Sequence, residues 1–281
     1  MRRFGRTLSI AVLLLLFGPG RAGAASRDDV RDLRGQDAID LPLSLGLGVG
    51  WIGSEAEKKH FAPSECHWCD SVPWVDERAR DAWKWSDPQK ADTASNVADF
   101  VGMPVLMLGM DALLASEHGA LDRAPHDALF IVEAVVAASA LNQAIKFSVG
   151  RERPFVHALS PDQKPLTAQP SDNNVSFYSG HTTLAFTLAT ATGTVATLRG
   201  YKHAWAVWPV GLTAAAAVGY LRIGADKHYF TDVATGAVLG SAIGVGMPLL
   251  MHGRKDGTAA FSASATASPV GGPHVVVAFA F

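Results

Sequence analysis

Two histidines and an aspartate, set among three long cations, are the side chains in this sequence best equipped for chemistry. His228 and Asp232 stand four residues apart. On a helix starting near Tyr229 the carboxylate would lie one turn from the imidazole and could accept its N–H proton. Such a bond fixes the tautomer and leaves the other ring nitrogen free as a nucleophile. Arg222 closes the preceding apolar run, and its planar guanidinium suits two phosphate oxygens. Taken alone, the same residues also read as a polar loop with a capping Asp and a surface His.

Two earlier stretches repeat this placement of polar groups at the end of an apolar run. Lys146-Phe-Ser-Val-Gly-Arg-Glu-Arg153-Pro154 closes the run from Ala128, and Tyr178-Ser179-Gly180-His181 opens the run to Leu198. Each has a structural alternative, since Arg-Pro often ends a helix and Ser-Gly often begins one. Together, in this order, the three stretches resemble the signature of the type 2 phosphatidic acid phosphatase and vanadium-dependent haloperoxidase superfamily. That signature is Lys, six residues, Arg-Pro; then Ser-Gly-His; then Arg, five residues, His, three residues, Asp. Tyr178 stands where the family usually has Pro, and Leu221 where it often has Ser. Both departures bear on loop shape more than on reaction class.

Lys146, Arg153 and Arg222, with the N–H groups at the start of the third run, form a site for a dense, multiply charged anion, and phosphate fits better than carboxylate. The resemblance implies the rest. His228 attacks phosphorus to give a phosphohistidine, and Asp232 orients it. His181 protonates the leaving oxygen and then activates water. Ser179 and the Gly180 amide bind equatorial oxygens. No metal or other cofactor is called for, because the cationic side chains replace a metal clamp. The alternatives are a soluble periplasmic acid phosphatase on small phosphomonoesters and a vanadate-dependent haloperoxidase. A non-enzymatic binder of lipid phosphates stands last, since anion binding alone needs neither histidine.

The elements that must position these residues are helices. From Ala98 the chain reads as five helix-length apolar runs: Asp99–Ser116, Ala128–Val149, Thr182–Leu198, Ala204–Leu221 and Thr231–Met251. Their Ala, Gly and Thr suit close helix packing. Up-and-down connection gathers Lys146, Arg153, Ser179, Gly180, His181, Arg222, His228 and Asp232 at one end of the bundle. The loop Phe155–Val175 then lies over that end as a lid. The fold expected is an all-α bundle of the phosphatase/haloperoxidase kind, at residues 97–253.

Residues 1–24 have the layout of a secretory signal peptide, with Arg2, Arg3 and Arg6, an apolar core Leu8–Phe17, then Ala22-Gly23-Ala24. Residues 25–96 read as an N-terminal extension. Within it Ser26–Asp40 is a flexible lead-in, and Leu41–Trp51 has the two-residue period of a strand. Cys66 and Cys69 are placed as a local disulfide, ahead of a metal site or a redox motif. The tail 254–281 reads as a hairpin that could recruit Leu41–Trp51 as a third strand.

With 48% hydrophobic and 18% charged residues and a formal net charge of −2, the chain offers no basic field for nucleic acid. The partners expected are a phosphorylated lipid or small phosphoester and a membrane. The location expected is the cell envelope: inner membrane with the site facing the periplasm, or soluble periplasm.

Overall fold

The computed structural model describes residues 26–69, 72–257, 261–267 and 273–279. The stretch expected as a signal peptide lies outside them. Eight principal helices are present among the described residues: α1 Asp37–Ala56, α2 Trp74–Trp83, α3 Pro88–Val97, α4 Met103–Glu117, α5 Ala124–Val149, α6 Gly180–Arg199, α7 Val207–Gly224 and α8 Phe230–Met251. A single π-helical turn, Ala98–Gly102, joins α3 to α4 as one rod. The bundle is thus all-α, as expected. Each of the five apolar runs falls within a helix or, for those starting at Asp99 and Ala204, a helix and the helical turn before it.

Helix α6 is the axis, packed against α4, α5, α7 and α8. It is buried from Thr182 to Arg199 except at Phe186, which is partly buried. Its threonines cause no deficit there, because Thr183, Thr187, Thr190, Thr192, Thr194 and Thr197 each donate to the carbonyl four residues back. Helix α8 meets it through Gly236 and Gly240, where a Cβ would come within 2.8 Å of the Ser179 carbonyl and 2.6 Å of the Thr183 carbonyl. That backbone approach fixes the two helix starts side by side. Phe130, Ile131, Met107, Leu188, Val195 and Val218 fill the core around them.

Leu41–Trp51 is helical, which corrects the expected strand and the three-stranded sheet. The tail forms a two-stranded antiparallel hairpin on its own, β1 Phe261–Ala267 with β2 Pro273–Phe279. Leu, Gly and Ser alternating in this stretch also satisfy a helical period. Leu41, Leu45, Val49 and Ile52 are exposed along one face. On the other, Ser44 is buried and Gly48 lies against Val136 of α5. Gly48, a residue that weakens a helix in water, is here at the contact with α5, whereas Gly46 and Gly50 have no neighbour within 4 Å of an added Cβ.

The lead-in is also docked. Arg31 N donates to the Arg199 carbonyl at 2.9 Å, Arg34 N to the Gly253 carbonyl at 2.9 Å, and Leu33 pairs with Arg254 in an antiparallel bridge. Four stretches, Pro88–Glu117, Leu121–Val149, Ala204–Gly224 and Phe230–Met251, are long and apolar enough to cross a membrane.

Candidate functional site

The bundle brings the C-terminal ends of α5 and α7 and the N-terminal ends of α6 and α8 together. Between them is a cavity of about 640 Å³ lined by Lys146, Arg153, Gly180, His181, Arg222 and His228. Two expected residues stand behind its wall and are not among the lining. Ser179 is the N-cap of α6, its Oγ accepting from Thr182 N at 3.4 Å and from Thr182 Oγ1 at 2.9 Å. Asp232 caps the first turn of α8, accepting from Tyr229 N at 2.9 Å. The loop Phe155–Val175 does reach the cavity, through Phe155, Thr167, Gln169, Asp172 and Val175.

His228 is buried, and its Nδ1 lies 2.8 Å from the Ser176 carbonyl. A carbonyl can only accept, so Nδ1 carries the proton and Nε2 keeps its lone pair. Arg153 NH1 stands 3.4 Å from that Nε2. The direct bond to Asp232 expected from sequence is not made, for its nearer oxygen is 3.8 Å from Nδ1. Asp232 acts one bond removed. Ser176 Oγ donates to Asp232 at 2.6 Å while the carbonyl of the same serine takes the imidazole proton. Helical spacing brought the carboxylate near, but Asp232 turned to its own helix start and to Arg151. Burial, and after it the charges of Arg153, Arg222, Lys146 and His181, hold the His228 imidazole well below its ordinary pKa.

Arg153 and Arg222 are each held in part by groups outside the motifs. Arg153 Nε donates to the Asp172 carbonyl at 2.7 Å and NH1 to the Lys227 carbonyl at 3.1 Å. Arg222 NH1 donates to Asp92 at 2.6 Å and Ser95 at 2.7 Å, while its buried Nε has no partner within the protein. That donor is in place for an anion's oxygen. At Gly180 a Cβ would come within 2.9 Å of Lys146 Nζ, so only glycine lets the ammonium lie against the start of α6. Lys58 and Lys227 extend the cationic lining. Burial alone would raise the Asp172 carboxyl, but the neighbouring Arg153 and Lys58 outweigh it and hold that group below the ordinary carboxylate range.

His181 lines the cavity with its Nε2 2.7 Å from Asn96 Oδ1 and its ring edge-on to Phe100. Beside them Asp99, from the π-helical turn, also lines the cavity, and both its oxygens are buried without a partner. The aspartate at the start of the first apolar run therefore faces the site.

Sequence reasoning missed the support behind His228. Arg151, inside the first motif but unassigned, donates to Asp232, to Thr231 Oγ1 at 2.8 Å and to Asp76 at 2.8 Å. Its guanidinium carbon lies 4.2 Å from each of the Trp68 and Tyr229 ring centroids. Asp76 in turn accepts from Thr231 N at 2.8 Å. Cys66 and Cys69 are disulfide-bonded, and their loop docks on the turn after α5: His67 N donates to the Gly150 carbonyl at 3.0 Å. Gly150 has φ 60° and a Cβ there would meet the His67 ring at 2.8 Å. The one available signal was the Trp-rich polar composition of residues 55–96, which marks packing but names no partner.

Residues 127–256 match the model of the PAP2 superfamily. A comparison with curated proteins finds no match. Among solved structures, the chain is similar to one described as the first transmembrane PAP2 type phosphatidylglycerolphosphate phosphatase from Bacillus subtilis. The identity is 17% and the TM-score 0.45, over 75% of this chain and 94% of that one.

Proposed function

With residues 127–256 identified as PAP2-superfamily sequence, we propose that the chain is a membrane phosphatase that hydrolyses phosphate esters of lipids through a phosphohistidine on His228. One observation carries the reading. The unprotonated Nε2 of His228, its other nitrogen engaged by Ser176, lies at a cavity that also presents Lys146, Arg153 and Arg222.

Phosphate oxygens bind the three cations and the first amides of α6, where the helix dipole favours negative charge. His228 Nε2 attacks phosphorus in line, the P–O bond to the leaving group breaks, and the departing oxygen takes the proton from His181 Nε2. Burial, then the charges of Arg222, Lys146 and Arg153, hold the His181 imidazole well below its ordinary pKa. It therefore enters this step as an imidazolium only once the negative charge of the bound phosphate raises it, with Asn96 Oδ1 accepting from Nε2 until then. His181, now neutral, draws a proton from water as its oxygen attacks the phosphohistidine. Phosphate leaves and His228 returns to its starting tautomer. Each oxygen that gains charge faces a fixed donor, so little reorganisation accompanies the reaction.

Lipid is favoured as the substrate class by the surface around the site. Val105 is 70% exposed, Val238 67% and Leu250 80%, on two of the four helices long enough to cross a membrane. Trp51, Phe100, Phe147 and Leu184 give the cavity an apolar side next to its cations. The test is phosphate release across a panel: phosphatidic acid, phosphatidylglycerol phosphate, an isoprenyl diphosphate, a lipid A phosphate and water-soluble monoesters. Release confined to lipid substrates, with an acid-labile phosphoprotein on quenching, is expected. A folded protein that releases phosphate from none of them would overturn the proposal.

A further inference from the structure

The end of the bundle remote from the phosphate cavity holds a second buried cluster. Asp40 from the first turn of α1, Glu133 from α5 and His252 at the C-cap of α8 are all buried, and one ligand atom from each lies within 4.8 Å of the other two. Glu133 is thirteen residues before Lys146 on the same helix, about 20 Å away at the helical rise. We propose that these three side chains bind a divalent metal ion of the zinc class, tying α1, α5 and α8 together.

His252 Nδ1 lies 3.1 Å from the Arg34 carbonyl, so it carries the ring proton, and Nε2 points its lone pair at Glu133, 2.8 Å away. An imidazole oriented through a backbone carbonyl, with the other nitrogen aimed at carboxylates, is the arrangement of a metal-ligating histidine. Without a cation, lone pair faces lone pair unless a proton lies between them. Glu133 Oε1 is independent evidence, being buried with no hydrogen-bond partner in the protein. Among the described residues no Lys or Arg is ion-paired with either carboxylate. Arg34, whose carbonyl meets His252, gives its Nε to the Gly253 carbonyl. Buried carboxylates are paired or bind metal, and two carboxylates with a neutral imidazole balance a divalent ion. One nitrogen and two carboxylate ligands fit zinc, with ligand pairs about 3.3–3.5 Å apart around it. The His–Glu pair would open by roughly half an ångström to admit the ion. Phe130, stacked on His252 with ring centroids 3.8 Å apart, holds the ring plane.

The experiment uses the full chain in detergent, with any affinity tag removed. After dialysis against chelator, zinc is added back, and bound metal and thermal unfolding are measured. About one zinc per chain is expected, with a rise in Tm of roughly 5–10 °C at about a hundred times Kd. Asp40→Asn and Glu133→Gln should each lose the bound zinc and the Tm rise. A cobalt spectrum lost in Asp40→Asn serves should Glu133→Gln fail to fold. Background metal and an unmoved Tm in the parent chain, or zinc retained in folded Asp40→Asn, would overturn the proposal and leave a proton-shared Glu133–His252 pair. Catalysis is not a readout, so this result is separate from the phosphatase reading.

Discussion

At the scale of residues, the two histidines are separable by leaving group. His228→Ala removes the nucleophile and should abolish turnover of every phosphoester. His181→Ala should cost roughly 10²–10⁴-fold on an alkyl phosphate, whose departing oxygen needs a proton. With p-nitrophenyl phosphate the same variant should show a burst of p-nitrophenol equal to the enzyme present, then slow release. Equal loss on both substrates without a burst would remove His181 from the acid role. Arg222→Lys keeps charge but loses the fork, and should cost on the order of 10²-fold in kcat/KM; wild-type turnover would make Arg222 a helix-end charge only. The His228 imidazole is held low first by burial and then by the surrounding cations. It therefore stays neutral as pH falls through the range where the unfolded chain's histidine takes up a proton. The unfolded state binds more protons there, so this group's contribution to stability is lost as pH drops below about 6.5. In an NMR titration its ring should stay neutral at pH 6 and take up a proton at higher pH once phosphate is bound. A free-enzyme value at or above 6.5 would contradict the geometry.

At the scale of elements, the His228 ring is oriented in part from outside the matched family segment. α2 supplies Asp76 and the disulfide loop supplies Trp68, both acting on Arg151, which holds Asp232, which holds Ser176. Asp76→Asn breaks a buried pair and should cost about 3 kcal/mol of stability. Because a small displacement of a nucleophile is expensive, kcat should also fall, by up to about 10²-fold, with KM little changed. A lower Tm with unaltered kcat would show that α2 only braces the fold. Trp68→Phe, which keeps an aromatic face for Arg151, should restore most of what Trp68→Ala loses.

At the scale of the whole molecule, the ends of the described bundle set its topology. Leu33 pairs with Arg254 and Lys255 N donates to the Asp32 carbonyl at 3.0 Å, opposite the cationic cavity. If α1 crosses the bilayer with the other long helices, Ser26–Gln36 and the segment after α8 share one side and the site faces the other. A signal peptide cut after Ala24 would deliver Ser26 to the periplasm. A cleaved signal and a periplasm-facing membrane site therefore exclude one another. Single cysteines at Asp28 and Lys255 should be labelled from the same side and one at Asp162 from the other. Opposite labelling of the first two would refute the arrangement in which α1 crosses with the other long helices, and release of the protein by osmotic shock without detergent would refute the membrane altogether.

Most of the site was legible in order along the chain. Lys146, Arg153, His181, Arg222 and His228 fall at the ends of apolar runs, and helical periodicity with short connections is enough to bring those ends together. The five helices of residues 97–253 were legible for the same reason, since period and length are local properties. What local properties could not reveal is which group each polar side chain meets. His228 found the Ser176 carbonyl and Asp232 found Arg151, because several donors compete for one carboxylate and distance in the fold settles the competition. Leu41–Trp51 became a helix that sets Gly48 against Val136 of α5, a partner far away in sequence. Glu133 stands out in the sequence only as a charge inside an apolar run and Asp40 and His252 not at all, and only the packing of α1, α5 and α8 makes the three neighbours.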